Sequence, residues 1–93
     1  MGTIQPQDRP LRAKDIAVQS MPPDTILLNL QTGYYFSTNP IGAAVWELCD
    51  GARTVEEIVA AIGERTDKAV EDIRDDILEY LATMRKEGLI ELG

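Results

Sequence analysis

The chain has 93 residues, 44% of them apolar, with 16 acidic and nine basic side chains, one cysteine and no histidine, for a formal charge of −7. That is room for one small domain with a closed core, which excludes a second folded domain and a wholly disordered chain. The acidic balance repels a phosphate backbone, and without histidine the most frequent metal ligand and the usual general base near neutral pH are missing.

Residues 1–14 hold two of the five prolines, mixed charges and no apolar period, and are expected to form a flexible tail ahead of a domain over 15–93. From Asp15 the pattern turns to short strands: Ile16 and Val18 in the first, Ile26, Leu28 and Leu30 in the second, with Met21-Pro22-Pro23-Asp24 as the turn between them. Gln31-Thr32-Gly33 is a short connection, and Tyr34-Tyr35-Phe36-Ser37 reads as the returning strand of an antiparallel meander. Asn39 as N-cap with Pro40 at the first helical position opens a helix over about 40–49, whose stripe is Ile41, Ala44, Val45, Trp46 and Leu48 and whose stop is Gly51. Thr54 and Glu57 have the capping-box spacing, so a second helix runs over about 55–62 with Val55, Ile58, Val59 and Ile62 inward. The third and longest helix starts at about 68 or 70 and runs to Glu87, with Val70, Ile73, Ile77, Leu81 and Met84 on one stripe, Leu78 and Tyr80 on its opposite shoulders, and Gly88 as stop. Leu89-Ile90-Glu91-Leu92 fits either a short strand or an apolar tail tucked against the core. The fold class is therefore α+β: a three-stranded antiparallel sheet followed by three helices, like a winged helix-turn-helix.

Catalysis finds little support. Asp72, Asp75, Asp76 and Glu79 match no calcium loop and read as a solvated helix face. Cys49 has no histidine to take its proton, lies at the wrong end of a helix for activation, and reads as a small buried residue. It cannot form an intrachain disulfide. The first 15 residues lack the apolar run of a signal peptide, and no apolar stretch approaches the roughly 20 residues that span a bilayer, so a cytoplasmic protein with no membrane partner is expected. DNA binding suits the topology, but residues 71–79, EDIRDDILE, carry Arg74 alone among five acids. An acidic winged-helix transcriptional regulator is the rival reading. Binding of something extended remains: so small a sheet has edges, and the aromatic run Tyr34–Phe36 is a candidate edge to which a peptide can add as a strand.

Leu28-Asn29-Leu30 through Gly33 to Phe36, Asn39-Pro40-Ile41-Gly42 entering Trp46, Asp50-Gly51 before Thr54, and Asp76-Ile77 with Gly88-Leu89-Ile90 together closely resemble the PqqD-like family, or RiPP precursor peptide recognition element. Its members include small proteins of pyrroloquinoline quinone and lasso peptide biosynthesis. The resemblance covers about residues 15–92 and departs at Ala69-Val70, where relatives often carry a polar cap followed by proline. It implies a non-catalytic protein without cofactor or metal. That protein captures the leader of a ribosomally made precursor peptide and presents it to a modifying enzyme, such as a radical SAM enzyme or a leader peptidase or cyclase. In the family the leader adds to the third strand of the sheet, in the groove beside the third helix. Carried onto this chain, the resemblance implies Tyr34, Tyr35, Phe36 and Ser37 on the strand and Arg74, Ile77, Leu78, Leu81 and Arg85 on the helix, with Asp76 and Tyr80 in place of Arg74 and Arg85 if the other shoulder faces the groove.

Overall fold

The computed structural model describes residues 3–92, so the first two residues of the expected tail and the last residue of the expected domain lie outside the described residues. The rest of that tail is not loose. Ile4 is only 8% exposed and Pro10 is fully buried. Strand β1 (Pro10–Arg12) pairs antiparallel with the C-terminal strand, Ile90–Leu92, in the register Leu11↔Glu91. The backbone leading into and along β1 is tied to the ends of the helices. Asp8 and Pro6 carbonyls accept from the Val55 and Glu56 amides at 2.9 and 3.1 Å, satisfying two of the four donors that a helix N-terminus leaves open. Arg12 N–H donates to the Cys49 carbonyl at 2.8 Å, and Gly51 N–H donates to Pro10 at 2.9 Å. The partners of this segment are tens of residues away, so no local period announces it.

The sheet follows as expected, with β2 (Ile16–Met21), β3 (Asp24–Asn29) and β4 (Tyr35–Thr38) in that order and antiparallel throughout. Register Leu27↔Phe36 and Val18↔Leu27 puts those three side chains on one face, and Leu27 is fully buried against the helices. Helix α1 (Pro40–Leu48) opens on Asn39, whose side chain accepts from Gly42 N–H. Helix α2 (Val55–Gly63) has the complete capping box, Thr54 to Glu57 and back. Helix α3 (Val70–Lys86) starts at Ala69 with no side-chain cap. Acids in its first turn and bases in its last suit the helix dipole.

The α3 stripe is buried at Ile73, Ile77, Leu81 and Met84, where it meets Val45, Ile58, Ile62 and Leu27 in one core. Val70 departs from the expectation: it is 56% exposed, because the first turn of α3 extends beyond the elements that cover the rest of the stripe. The Leu89–Leu92 alternative resolves as β5 (Ile90–Leu92), held by β1 and by Leu89, whose carbonyl accepts from Trp46 Nε1 at 3.0 Å. The α+β, winged helix-turn-helix-like class thus holds, with a second two-stranded sheet added at the chain ends.

Candidate functional site

Among the described residues β4 pairs with β3 alone, so its other edge is open. Which groups face that edge follows from the turn. Asn29 N–H donates to the Tyr34 carbonyl at 2.9 Å, making Asn29 a residue whose polar groups point at β4. Alternation along an antiparallel ladder then makes Leu27↔Phe36 and Thr25↔Thr38 the bonded pairs and turns the N–H and C=O of Tyr35 and Ser37 outward. Side chains alternate independently: Phe36 and Thr38 point inward, while Tyr35 and Ser37 are exposed on the opposite face.

Helix α3 forms the facing wall, and two asparagines fix it there. At the Thr38 end, Asn39 Nδ2 donates to Tyr80 Oη at 2.8 Å while its Oδ1 accepts from Gly42 N–H at 2.9 Å. At the other end, buried Asn29 donates to the Gly88 carbonyl at 3.3 Å, and its Oδ1 accepts from the Gln31 and Thr32 amides of the turn. Tyr80 beside the end of β4 and Gly88 beside its start make the two elements antiparallel. Gly42 is the point of closest approach: a Cβ there would lie 1.8 Å from Thr38 Oγ1 and 3.1 Å from Tyr80 Cε1, so only glycine lets α1 pass.

Between these walls lies a groove of about 320 Å³ lined by Phe36, Asp76, Glu79, Tyr80 and Thr83. The helix shoulder beside β4 is therefore that of Asp76 and Tyr80, not that of Leu78, which corrects the principal expectation. Arg74 points to α2, where its Nε and Nη2 hold the Glu56 carboxylate at 2.9 and 3.0 Å. That fork keeps the Glu56 carboxyl below the usual carboxylate range and raises the guanidinium. Ile77 and Leu81 are fully buried core residues behind the groove. Leu78 is half-buried against the core, and Arg85 is half-buried near the end of α3. Of the strand residues, Phe36 lines the groove, Tyr35 and Ser37 present their backbone at the open edge, and Tyr34 is 71% exposed in the turn before β4. Thr83 and the groove role of Glu79 were missed. Both follow once the shoulder is known, since Thr83 lies three residues beyond Tyr80 and one turn beyond Glu79.

Asp76 also borders a small slot of about 30 Å³ walled by Ile41, Ile62, Ile73 and Ile77, with Lys68 Nζ 3.5 Å from its carboxylate. Cys49 is buried, donates to the Val45 carbonyl at 3.2 Å, and has its thiol pushed up to about 12 by burial, against the opposing pull of Arg12. It stays protonated near neutrality, so it serves as a packed side chain and not as a nucleophile. Among the described residues no group of three or more metal-ligating side chains comes together, and no helix is long and apolar enough to cross a membrane.

The chain resembles the solved structure of TbiB1 in complex with the TbiA(beta) leader peptide, at 26% identity and a TM-score of 0.75, over 87% of this chain and 94% of that one. It shares its fold with lasso peptide synthetase B1 complexed with the leader peptide, at 14% identity and a TM-score of 0.75, over 89% and 98% of the two chains. No curated protein sequence matches. The family model for coenzyme PQQ synthesis protein D matches residues 24–90, a span that holds β3, β4, all three helices and every residue lining the groove. The chain belongs to the PqqD family.

Proposed function

We propose that this chain is a non-catalytic binding protein, which captures the leader of a ribosomally made precursor peptide as a strand added to β4. It then presents the remainder to a separate modifying enzyme, such as a radical SAM enzyme or a leader peptidase or cyclase. The observation that carries this reading is the open backbone of Tyr35 and Ser37 beside a groove whose other wall is already fixed. The likeness to TbiB1 with its leader peptide supports it. The groove offers an edge and pockets, and its carboxylates Asp76 and Glu79 are read as contacts for the guest, so the proposed mechanism is recruitment. Holding one substrate end raises the effective concentration of the other at the enzyme. The buried free thiol of Cys49 suits a reducing cytoplasm.

Strand addition alone is too weak. Tyr35 and Ser37 each offer one donor and one acceptor, and four net hydrogen bonds give about 2–6 kcal/mol. A micromolar complex needs about 8 kcal/mol. The remainder must come from side chains entering the groove against Phe36, Tyr80 and Thr83, and that is where the leader is selected.

The test is a titration of the protein with a labelled leader, taken from the short peptide-coding frame beside its gene, in parallel with labelled duplex DNA. Saturable leader binding with protection of the Tyr35 and Ser37 amides from exchange is expected. Tight, salt-sensitive DNA binding without leader binding would replace this reading with that of a transcriptional regulator.

A further inference from the structure

The groove has a charge signature. Two of its five lining residues, Asp76 and Glu79, are carboxylates, none is basic, and the whole chain carries −7. Tyr80 is committed to Asn39 through its hydroxyl. Asp76 is held only loosely, by Lys68 at 3.5 Å, with the two side chains 47% and 65% exposed; such a pair contributes little and is readily exchanged for a better partner.

Spacing gives the charge a place. From Asp76 to Thr83 the helix rises about 10.5 Å at 1.5 Å per residue. Alternate residues of a strand are about 6.6 Å apart and point the same way. An extended guest on β4 therefore sends two successive inward side chains into the groove, one at the level of Asp76 and Glu79 and the next at the level of Tyr80 and Thr83. The first of these levels carries two carboxylates, one of them loosely paired with Lys68. An acidic guest side chain there would face two like charges, whereas a Lys or Arg reaches both carboxylates, and Arg can fork onto one of them.

We infer that the peptide this groove takes carries a Lys or Arg at the inward position facing Asp76 and Glu79, and that these two carboxylates determine specificity. The inference rests on the strand-addition reading above and names the chemistry of its guest. A neutral or acidic residue fits the level two positions further along, where Thr83 offers a hydroxyl and Tyr80 an aromatic edge.

The probe is a displayed library of random twelve-residue peptides selected on the full chain. Binders are sorted by whether they protect the Tyr35 and Ser37 amides from exchange. Edge binders are expected to share a Lys or Arg at one fixed position. Replacing it with Glu should weaken binding at least tenfold in 50 mM salt, with the gap narrowing in 500 mM salt. Glu79→Lys, at an exposed position that leaves the fold untouched, should reverse the preference so that the Glu peptide binds better. Edge binders with no basic position, and unmoved by Glu79→Lys, would overturn the inference while leaving strand addition standing. Binders that never protect Tyr35 and Ser37 would remove strand addition itself, and the inference with it.

Discussion

Replacing Gly42 with alanine tests the corner on which the groove is built. The new Cβ would lie 1.8 Å from Thr38 Oγ1, 3.1 Å from Thr38 Cβ and 3.1 Å from Tyr80 Cε1. Rotating the Thr38 hydroxyl away clears the first contact only. Thr38 is 4% exposed, so its side chain has little room to turn and α1 must retreat from β4 and α3. Overpacking of this kind costs about 1–3 kcal/mol. Three close atoms put Gly42→Ala at the upper end of that range, and removing a helical glycine returns up to about 1 kcal/mol, so a net loss of about 2 kcal/mol is expected. For a domain this size each kcal/mol moves Tm by roughly 4–8 °C. Urea unfolding followed by Trp46 fluorescence should show a lower midpoint at unchanged slope. Adding Thr38→Ala should restore at least about 1 kcal/mol, because it deletes the atom in conflict. A Gly42→Ala protein as stable as the parent, or a double variant whose losses simply add, would refute the close-approach argument and with it the account of how Tyr80 is placed.

Three further outcomes follow from the same geometry. Tyr35→Pro deletes an outward-facing donor without touching the β3 ladder, so the fold should survive while affinity for an edge-binding peptide falls about tenfold; unchanged affinity by fluorescence anisotropy would rule out addition at β4. Ile4→Ala should destabilise by about 2 kcal/mol or more in urea, as for a buried core side chain, whereas no effect would return residues 3–12 to the status of a tail. The Cys49 thiol should resist Ellman's reagent at pH 8 until the protein unfolds. Because its folded value is raised, the stability tied to its neutral form is complete below about 9 and is lost as pH rises from there towards about 12, which urea midpoints across that range would show.

The elements that the sequence makes legible are those whose determinants lie within a few residues. The Asn39 and Thr54 caps, the α3 stripe and the glycine stops are all of this kind, and each is present. What stays hidden depends on distant partners. Strand β1 is three residues long and is defined by Ile90–Leu92, nearly the whole chain away. The helical period of α3 identifies two shoulders but does not choose between them. That choice is made by Asn39 reaching Tyr80, and by Arg74 finding Glu56 on α2, two pairings with no local signature. The resemblance points to the Leu78 shoulder of α3, whereas the groove beside β4 is lined by the shoulder of Asp76 and Tyr80.

Asn29 and Asn39 have a kinetic corollary. Each clamps one extremity of the cleft, so both walls are held by the fold itself before a visitor arrives. The ordering entropy then falls chiefly on the incoming polypeptide, which must straighten as it zips along the rim. Arrival should then run at the ordinary encounter rate of a flexible chain meeting a rigid template, and residence time should be set by fraying of the visitor from its ends. A carrier of that kind releases its cargo piecemeal, and an enzyme pulling on the far end can strip it without first unlocking anything.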